Sequence, residues 1–380
     1  MENPFSPKHP VNPRYFVDRE SILEEFERIL SISAASEIAK PDNIAILGRW
    51  GVGKTSLLTK FEEIALNNKI KVFTARIELA PSACTFIEDF VSKALDDIER
   101  TCKANLSVYD KIKLEISKWK IGSIEKIIIL KKKEIQKHII SLFQDSLRDL
   151  WFKILKPRGI QAALLNFDDI HYLAQHNKEG LYDLRSVFQS LAMDGCNYML
   201  IITGPLDLFG KVREIAEPFS RFFSKFKLDV FDYGQTKNAI LKPIKLNKLN
   251  IQFEEEVIKE ISSLTEGHPY FIHFIMRDLV SLVNGKINLN AFKVYWKRVS
   301  FHLQEEKFID DLNLTSETEK KILIKAANLN KKDFLASEIT ISGIWTLLKR
   351  LEEKELITKI DKGRYKIYHP LFKEYLRSKQ

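Results

Sequence analysis

The run Gly48-Arg49-Trp50-Gly51-Val52-Gly53-Lys54-Thr55 sets three glycines, an ammonium and a hydroxyl in the spacing G-x-x-x-x-G-K-[ST]. Glycines at these positions let successive backbone N–H groups turn inward around an oxyanion. The apolar stretch Asn43–Leu47 before the loop reads as a strand, and Thr55–Asn67 after it reads as a helix. The positive end of that helix would face the same oxyanion. In this context the backbone from Gly48 to Ser56 is expected to cradle the phosphates of ATP or ADP. Lys54 is expected to bridge the β- and γ-phosphates, and the Thr55 hydroxyl to ligate Mg2+.

A phosphate loop needs an acid at the end of another central strand. Ala163-Leu164-Leu165-Asn166-Phe167-Asp168-Asp169 supplies two. Asp168 is expected to hold the magnesium through water, and Asp169 to orient or deprotonate the attacking water. Asn166, polar in an apolar strand, is either a satisfied core amide or a group that touches the site. Thr203 ends the next apolar strand, Met199–Thr203, where a hydroxyl could lie beside the γ-phosphate. Arg221, in Pro218-Phe219-Ser220-Arg221-Phe222, precedes the last strand. A guanidinium there could stabilise transition-state charge on a neighbouring subunit's ATP.

Positioning these groups calls for an α/β fold with a mostly parallel sheet covered by helices on both faces. The expected strands are Asn43–Leu47, Lys71–Ile77, Ala162–Phe167, Tyr198–Thr203 and Phe226–Phe231. The prolines at 4, 7, 10 and 13 make residues 1–17 an extended arm. Thr85–Ala104 has helical spacing. Residues 105–160 look like a basic insertion, with a short strand pair around Gly122 and a helix from Lys131 to Leu155 that Pro157-Arg158-Gly159 stops. From Tyr233 to about Phe308 the pattern is purely helical. The tail reads as helices over Glu317–Ala327, Lys332–Glu338 and Ser342–Leu351. A hairpin over Leu356–Ile360 and Arg364–Tyr368 follows, the pattern of a winged helix-turn-helix. The expected domains are a nucleotide-binding domain over 1–232, a helical lid over 233–311 and the winged helix over 312–380.

Charge adds a partner. The chain of 380 residues carries 60 Lys and Arg against 51 Asp and Glu, a net +9. Residues 101–160 hold 14 basic against 6 acidic residues, and residues 312–380 hold 15 against 9. The rest is mildly acidic. Basic regions beside a neutral body suggest a polyanion such as double-stranded DNA; lysine-rich solvated faces are the plainer alternative. No apolar run is long enough to cross a bilayer, and the start shows no signal-peptide pattern. The scattered Cys84, Cys102 and Cys196 fit no metal or redox spacing. A cytoplasmic protein with reduced thiols and no membrane partner is the expectation.

These residues together resemble the AAA+ superfamily of P-loop NTPases, in its additional-strand (ASCE) division. Within it they look like archaeal ATPases lying between origin-recognition initiators and STAND signalling switches. Tyr15-Phe16-Val17-Asp18-Arg19-Glu20 is similar to the F-V-G-R-E box that contacts adenine, with Asp18 where glycine is usual. The resemblance therefore implies nucleotide contacts at Tyr15, Phe16 and Val17. Gly48–Thr55 and Asp168-Asp169 match Walker A and Walker B, and Thr203 the first sensor. Asp169 stands where many members have glutamate, which implies slow hydrolysis. Gly267-His268-Pro269 looks like the G-x-P motif of STAND proteins and implies nucleotide contacts at His268 and Pro269. Initiators usually carry an arginine sensor in this region, and Arg277 lies too far along to fill that role. Tyr368-His369-Pro370-Leu371-Phe372 resembles the H-P-L-F turn of the same group. In some relatives a histidine in this domain touches bound ADP; at His369 a structural histidine is the stronger reading.

Two function classes follow. One is a DNA-associated ATPase, with Lys349 and Arg350 on a recognition helix and Lys362 and Arg364 on the wing; Glu352, Glu353 and Glu355 oppose it. The other is a nucleotide-gated switch in which the winged helix meets copies of the chain or a partner protein. A metabolic kinase fits poorly, because no substrate lid is evident.

Overall fold

The computed structural model describes residues 3–35, 41–105, 132–211 and 219–379. The expected strand pair around Gly122 lies outside them. Two compact units emerge. The first, the sheet unit, comprises residues 19–48 and 54–228; the second, the C-terminal unit, comprises residues 1–18, 49–53 and 229–380.

In the sheet unit the strands are β1 (Asn43–Leu47), β2 (Val72–Glu78), β3 (Ala162–Asp168), β4 (Tyr198–Gly204) and β5 (Phe223–Lys227). They pair in the order β2-β3-β4-β1-β5, and every pairing is parallel. Strand β4 therefore lies between the strand that leads into the glycine loop and the strand that ends in Asp168. Strands β1, β3 and β4 are buried along their whole length, as apolar runs in a sheet covered on both faces should be. The helices are α1 (Glu20–Ala35), α2 (Lys54–Asn67), α3 (Ile87–Asn105), α4 (Lys132–Asp149), α5 (His171–His176), α6 (Lys178–Met193) and α7 (Leu208–Lys211).

The last strand is Phe223–Lys227 rather than Phe226–Phe231. It is an edge strand in which only Phe223 is buried, so its polar-rich Phe-Ser-Lys-Phe-Lys is less conspicuous than the apolar run after it. The helix expected from Lys131 to Leu155 is present, and one of its faces is core. Helix α4 runs on as a π-helical turn, Leu150–Leu155, which buries Leu150, Trp151, Ile154 and Leu155. Phe143 and Leu147 join the same core, and the Tyr198 hydroxyl donates to the Leu147 carbonyl at 2.7 Å. Lys137 and Lys153 are exposed on a helix whose other face is core.

The C-terminal unit has helices α8 (Tyr233–Leu246), α9 (Glu255–Thr265), α10 (Pro269–Leu282), α11 (Leu289–Leu303), α12 (Ile309–Asn313), α13 (Glu317–Asn328), α14 (Ile344–Glu353) and α15 (Pro370–Arg377). Its first part is not purely helical, because β6 (Ile251–Phe253) and β7 (Gly285–Ile287) form a parallel pair. Three-residue strands carry too little alternation to register in sequence. The N-terminal arm belongs to this unit. Phe5 is buried in its core, and the Asn3 amide donates to the Arg277 carbonyl at 2.8 Å. The last part holds a three-stranded antiparallel sheet, β8 (Phe334–Leu335), β10 (Arg364–Ile367) and β9 (Ile357–Asp361) in that order. The helix expected over Lys332–Glu338 is instead β8 followed by a 3-10 turn, Ala336–Glu338. Glu338, which reads as a helix former, accepts from the Leu335 N–H at 2.7 Å and caps that turn.

Candidate functional site

In the sheet unit, Lys54, Thr55 and Ser56 form the first turn of α2. The Lys54 ammonium donates to the Gly48 carbonyl at 3.1 Å. The Gly48 N–H donates to the Gly204 carbonyl at 3.1 Å, extending the β1–β4 ladder into the loop. Because all five strands run parallel, the carboxyl ends of β1, β3 and β4 lie at one edge of the sheet, the usual place for a ligand in an open α/β sheet.

Thr203 ties the acids of that edge together. Its hydroxyl donates to Asp168 Oδ1 at 2.5 Å and accepts from the Asp169 N–H at 2.8 Å. Asp169 sits at φ 60°, a left-handed position that aspartate tolerates better than most residues. The Asp169 carboxylate lies 3.6 Å from His171 Nδ1.

Asp168 is 6% exposed, and among the described residues its only side-chain partner is the Thr203 hydroxyl. A buried carboxylate without a basic partner is costly unless a cation compensates it, so the residues fit a magnesium ion. Among the described residues no group of three or more His, Cys, Asp and Glu converges. An ion held here would depend on Thr55, Asp168 and the phosphates it accompanies.

Asn166 has partners that sequence reasoning missed. Its amide donates to Glu62 Oε1 at 2.8 Å and to the Thr74 hydroxyl at 3.1 Å. Glu62, on α2, also takes both arms of Arg76 from β2, at 3.0 and 2.6 Å, and Arg76 reaches the Thr59 hydroxyl at 2.7 Å. Asn166 is thus a core amide in a network that braces the helix after the glycine loop. Arg221 is exposed in the turn before β5.

The five loop residues Arg49–Gly53 count with the C-terminal unit, and that unit grips them. The Tyr270 N–H donates to the Gly51 carbonyl at 3.2 Å. His268 Nε2 lies 3.1 Å from the Trp50 carbonyl; a carbonyl only accepts, so Nε2 carries the proton. The Trp50 N–H donates to a Glu355 carboxylate oxygen at 3.1 Å. The Trp50 ring meets Tyr270 at 4.5 Å between centroids, and the Lys307 ammonium lies 4.1 Å from its centre. Gly51 has φ 73°, and a Cβ there would stand 2.8 Å from His268 and 2.9 Å from Tyr270, so only glycine permits this approach.

The turn that delivers His268 depends on a second glycine. Gly267 has φ 69°, and a Cβ on it would fall 1.9 Å from the Phe231 carbonyl oxygen. Pro269 then opens α10 at its first position. Burial, with like charge from His369 next, pushes the His268 pKa down to about 3. The ring is neutral, and its buried Nδ1 has no hydrogen-bond partner.

His369 differs. Its Nε2 lies 3.0 Å from the Thr265 carbonyl and must donate to it, while Nδ1 accepts from the Leu371 N–H at 3.2 Å. The ring stacks on Phe271 at 3.8 Å. With both nitrogens engaged it is a structural cap of α15. Arg277 is likewise occupied, by Asp278 at 2.9 Å and Glu306 at 3.3 Å.

Tyr15, Phe16 and Val17 lie in the C-terminal unit, on α8. The Tyr15 hydroxyl donates to Asn247 at 2.8 Å, Lys242 donates to the Phe16 carbonyl at 2.5 Å, and Val17 packs on the neighbouring core. Asp18 adopts φ 57°, a left-handed position that glycine takes at no steric cost.

Known structures share this architecture. A Walker-type ATPase of Pyrococcus abyssi is 20% identical over 96% of this chain and 99% of its own, with a TM-score of 0.58. The Aeropyrum pernix ORC2 protein, in ADPNP-ADP complexes, is 12% identical over 96% of this chain and 94% of its own, also at 0.58. The Aeropyrum pernix ORC1 protein in complex with DNA is 12% identical over 96% and 93%, at 0.53. Identities this low establish the P-loop NTPase fold alone. No curated protein matches the sequence. The profile of the KAP family P-loop domain matches residues 19–332, more than half of the chain, so the chain belongs to the KAP family of P-loop NTPases.

Proposed function

We propose that this chain is an ATPase whose nucleotide state is passed to a C-terminal winged helix, residues 312–380, that associates with duplex DNA. The observation that carries the coupling is the grip on Arg49–Gly53. Residues meant to wrap phosphates are held by Tyr270, His268, Lys307 and Glu355, and they are peptide-bonded to Gly48 and Lys54. Settling the loop around phosphates and seating it on these side chains are then linked equilibria. In this reading Lys54 binds the β- and γ-phosphates, and Thr55 and Asp168 hold magnesium, which shields phosphate charge. Asp169 orients the attacking water. The Thr203 proton is used on Asp168, so Thr203 acts by positioning the two acids.

Equilibrium ATP binding and turnover test the assignment. Lys54→Ala should weaken binding on the order of 100-fold, whereas Asp169→Asn should bind normally and turn over at least tenfold more slowly. Equal ATP affinity in wild type and Lys54→Ala would sink it. Arg221, exposed and just ahead of the edge strand, is assigned to a neighbour's site. Arg221→Ala should bind ATP but lose turnover, and mixing it with Asp169→Asn should restore part of the activity through hybrid sites. If mixing rescues nothing and specific activity does not depend on protein concentration, the role in trans fails.

One observation favours a second reading, in which the winged helix docks a protein. Trp345 on α14 is 60% exposed and Ile360 on β9 is 52% exposed. Large apolar side chains left in solvent suit a protein interface better than a phosphate backbone.

A further inference from the structure

Within the C-terminal unit a cleft of about 560 Å³ opens between the end of α9, the turn after α13, β10 and α15. Five cations line it: Lys331, Lys332, Lys366, Lys373 and Arg377. Only two carboxylates do so, Glu266 and Glu374. Lys366 is neutralised by Glu266 at 3.0 Å, and Lys331 by Glu338 at 2.5 Å. The others are not matched by acids. Lys373 donates to the Leu329 carbonyl at 3.2 Å and to the Lys331 carbonyl. Arg377 donates to the Ala327 carbonyl at 2.7 Å and to the Asn330 amide oxygen at 3.3 Å. Lys332 is exposed and has no partner among the described residues. Burial above all, then the like charge of Arg377, pushes the Lys373 pKa down; Asp333 opposes the shift and Lys366 adds to it.

Converging cations held by carbonyls in a concave site are suited to a polyanion. The volume falls in the range of small-molecule sites. The cleft also has an apolar wall, Ile367 and Pro370, and a hydroxyl at Ser263, features with no use for a bare ion. A DNA duplex shares the phosphate chemistry but presents it on a broad convex surface.

We propose that this cleft is a second ligand site, distinct from the glycine loop, for a small phosphate-bearing organic molecule. Its phosphates lie against Lys332, Lys373 and Arg377, and its organic part against Ile367 and Pro370.

Calorimetric titration of the full-length Lys54→Ala protein with inorganic tripolyphosphate, at low salt, tests this with the glycine loop disabled. One site per chain is expected. Lys332→Glu reverses a charge that supports no internal contact and should weaken binding about tenfold. Glu374→Gln removes an opposing charge and should tighten it about threefold. A gain of affinity is a result that damaged folding does not mimic. Adding ADP to the tripolyphosphate-saturated protein should displace the probe with the same dependence on Lys332. The proposal is overturned if tripolyphosphate does not bind or if both substitutions leave its affinity unchanged. It is equally overturned if short duplex DNA, and not ADP, displaces the probe, since the phosphates served would then be those of a nucleic-acid backbone.

Discussion

At the scale of single residues, the C-terminal unit is built around histidines kept neutral. Burial lowers the pKa from 6.5 to about 3 at His268, about 4 at His273 and about 4 at His369. Below about pH 6.5 the unfolded chain takes up protons that the folded chain refuses. Stability conferred by each neutral ring is therefore complete above that pH and is lost as the pH falls towards the folded value, at ~1.4 kcal/mol per pH unit. His273 is the cleanest probe, because it lies inside α10, away from the loop, with Nδ1 unpartnered and its ring edge-on to Phe5 at 5.6 Å. Urea unfolding at pH 7 and pH 5 should show that His273→Leu loses about 2 kcal/mol less between the two than wild type. An undiminished loss would show that His273 is not refused its proton. Much of this scale was legible in sequence. The spacing of Gly48–Thr55, and two acids after an apolar strand, placed the glycine loop after β1 and Asp168 at the end of β3. The partners of His369 were not legible, because a ring saturated by one carbonyl and one N–H looks in sequence the same as a ring with a nitrogen to spare.

Among elements, sequence and structure diverge where tertiary context outweighs local pattern. Strands β1, β3 and β4 are apolar on both faces and were found to within a residue. Edge strand β5 and the short pair β6–β7 were misplaced or missed, since half-buried or three-residue strands carry little period. The network joining α2, β2 and β3 is a further case. Thr59, Glu62, Thr74, Arg76 and Asn166 are dispersed over more than a hundred positions, and only the parallel register, with Arg76 opposite Asn166, assembles them. Glu62 and Arg76 are each 19% exposed, so removing one leaves a largely desolvated charge. Arg76→Met is expected to cost about 3 kcal/mol in urea unfolding, while Arg76→Met combined with Glu62→Met should recover most of it. A double variant as unstable as the sum of the single ones would mean that the two side chains are not coupled.

For the whole molecule, the five loop residues Arg49–Gly53 share a compact unit with residues 229–380, an assignment no local pattern contains. It connects a phosphate-binding motif to a tail of 15 basic and 9 acidic residues over positions 312–380. Lys349, Arg350, Lys359, Lys362 and Arg364 are exposed there, interrupted by the exposed Asp361 and Glu353. Such a mixture should give modest affinity for duplex DNA, dominated by phosphate contacts and indifferent to sequence. Fluorescence anisotropy with labelled duplexes should show affinity falling steeply between 50 and 200 mM salt, roughly tenfold or more if a few phosphates are neutralised. Lys362→Glu with Arg364→Glu should weaken every duplex alike and flatten the salt dependence, while ATP binding stays as in wild type. If the grip on Trp50 transmits the nucleotide state, ATP and ADP should give different DNA affinities in wild type and the same affinity in Lys54→Ala. Absence of DNA binding at low salt with ATP, ADP or neither would remove DNA from the account. The exposed Trp345 and Ile360 would then direct the search to a protein partner, with the nucleotide-gated loop as the element that controls its docking.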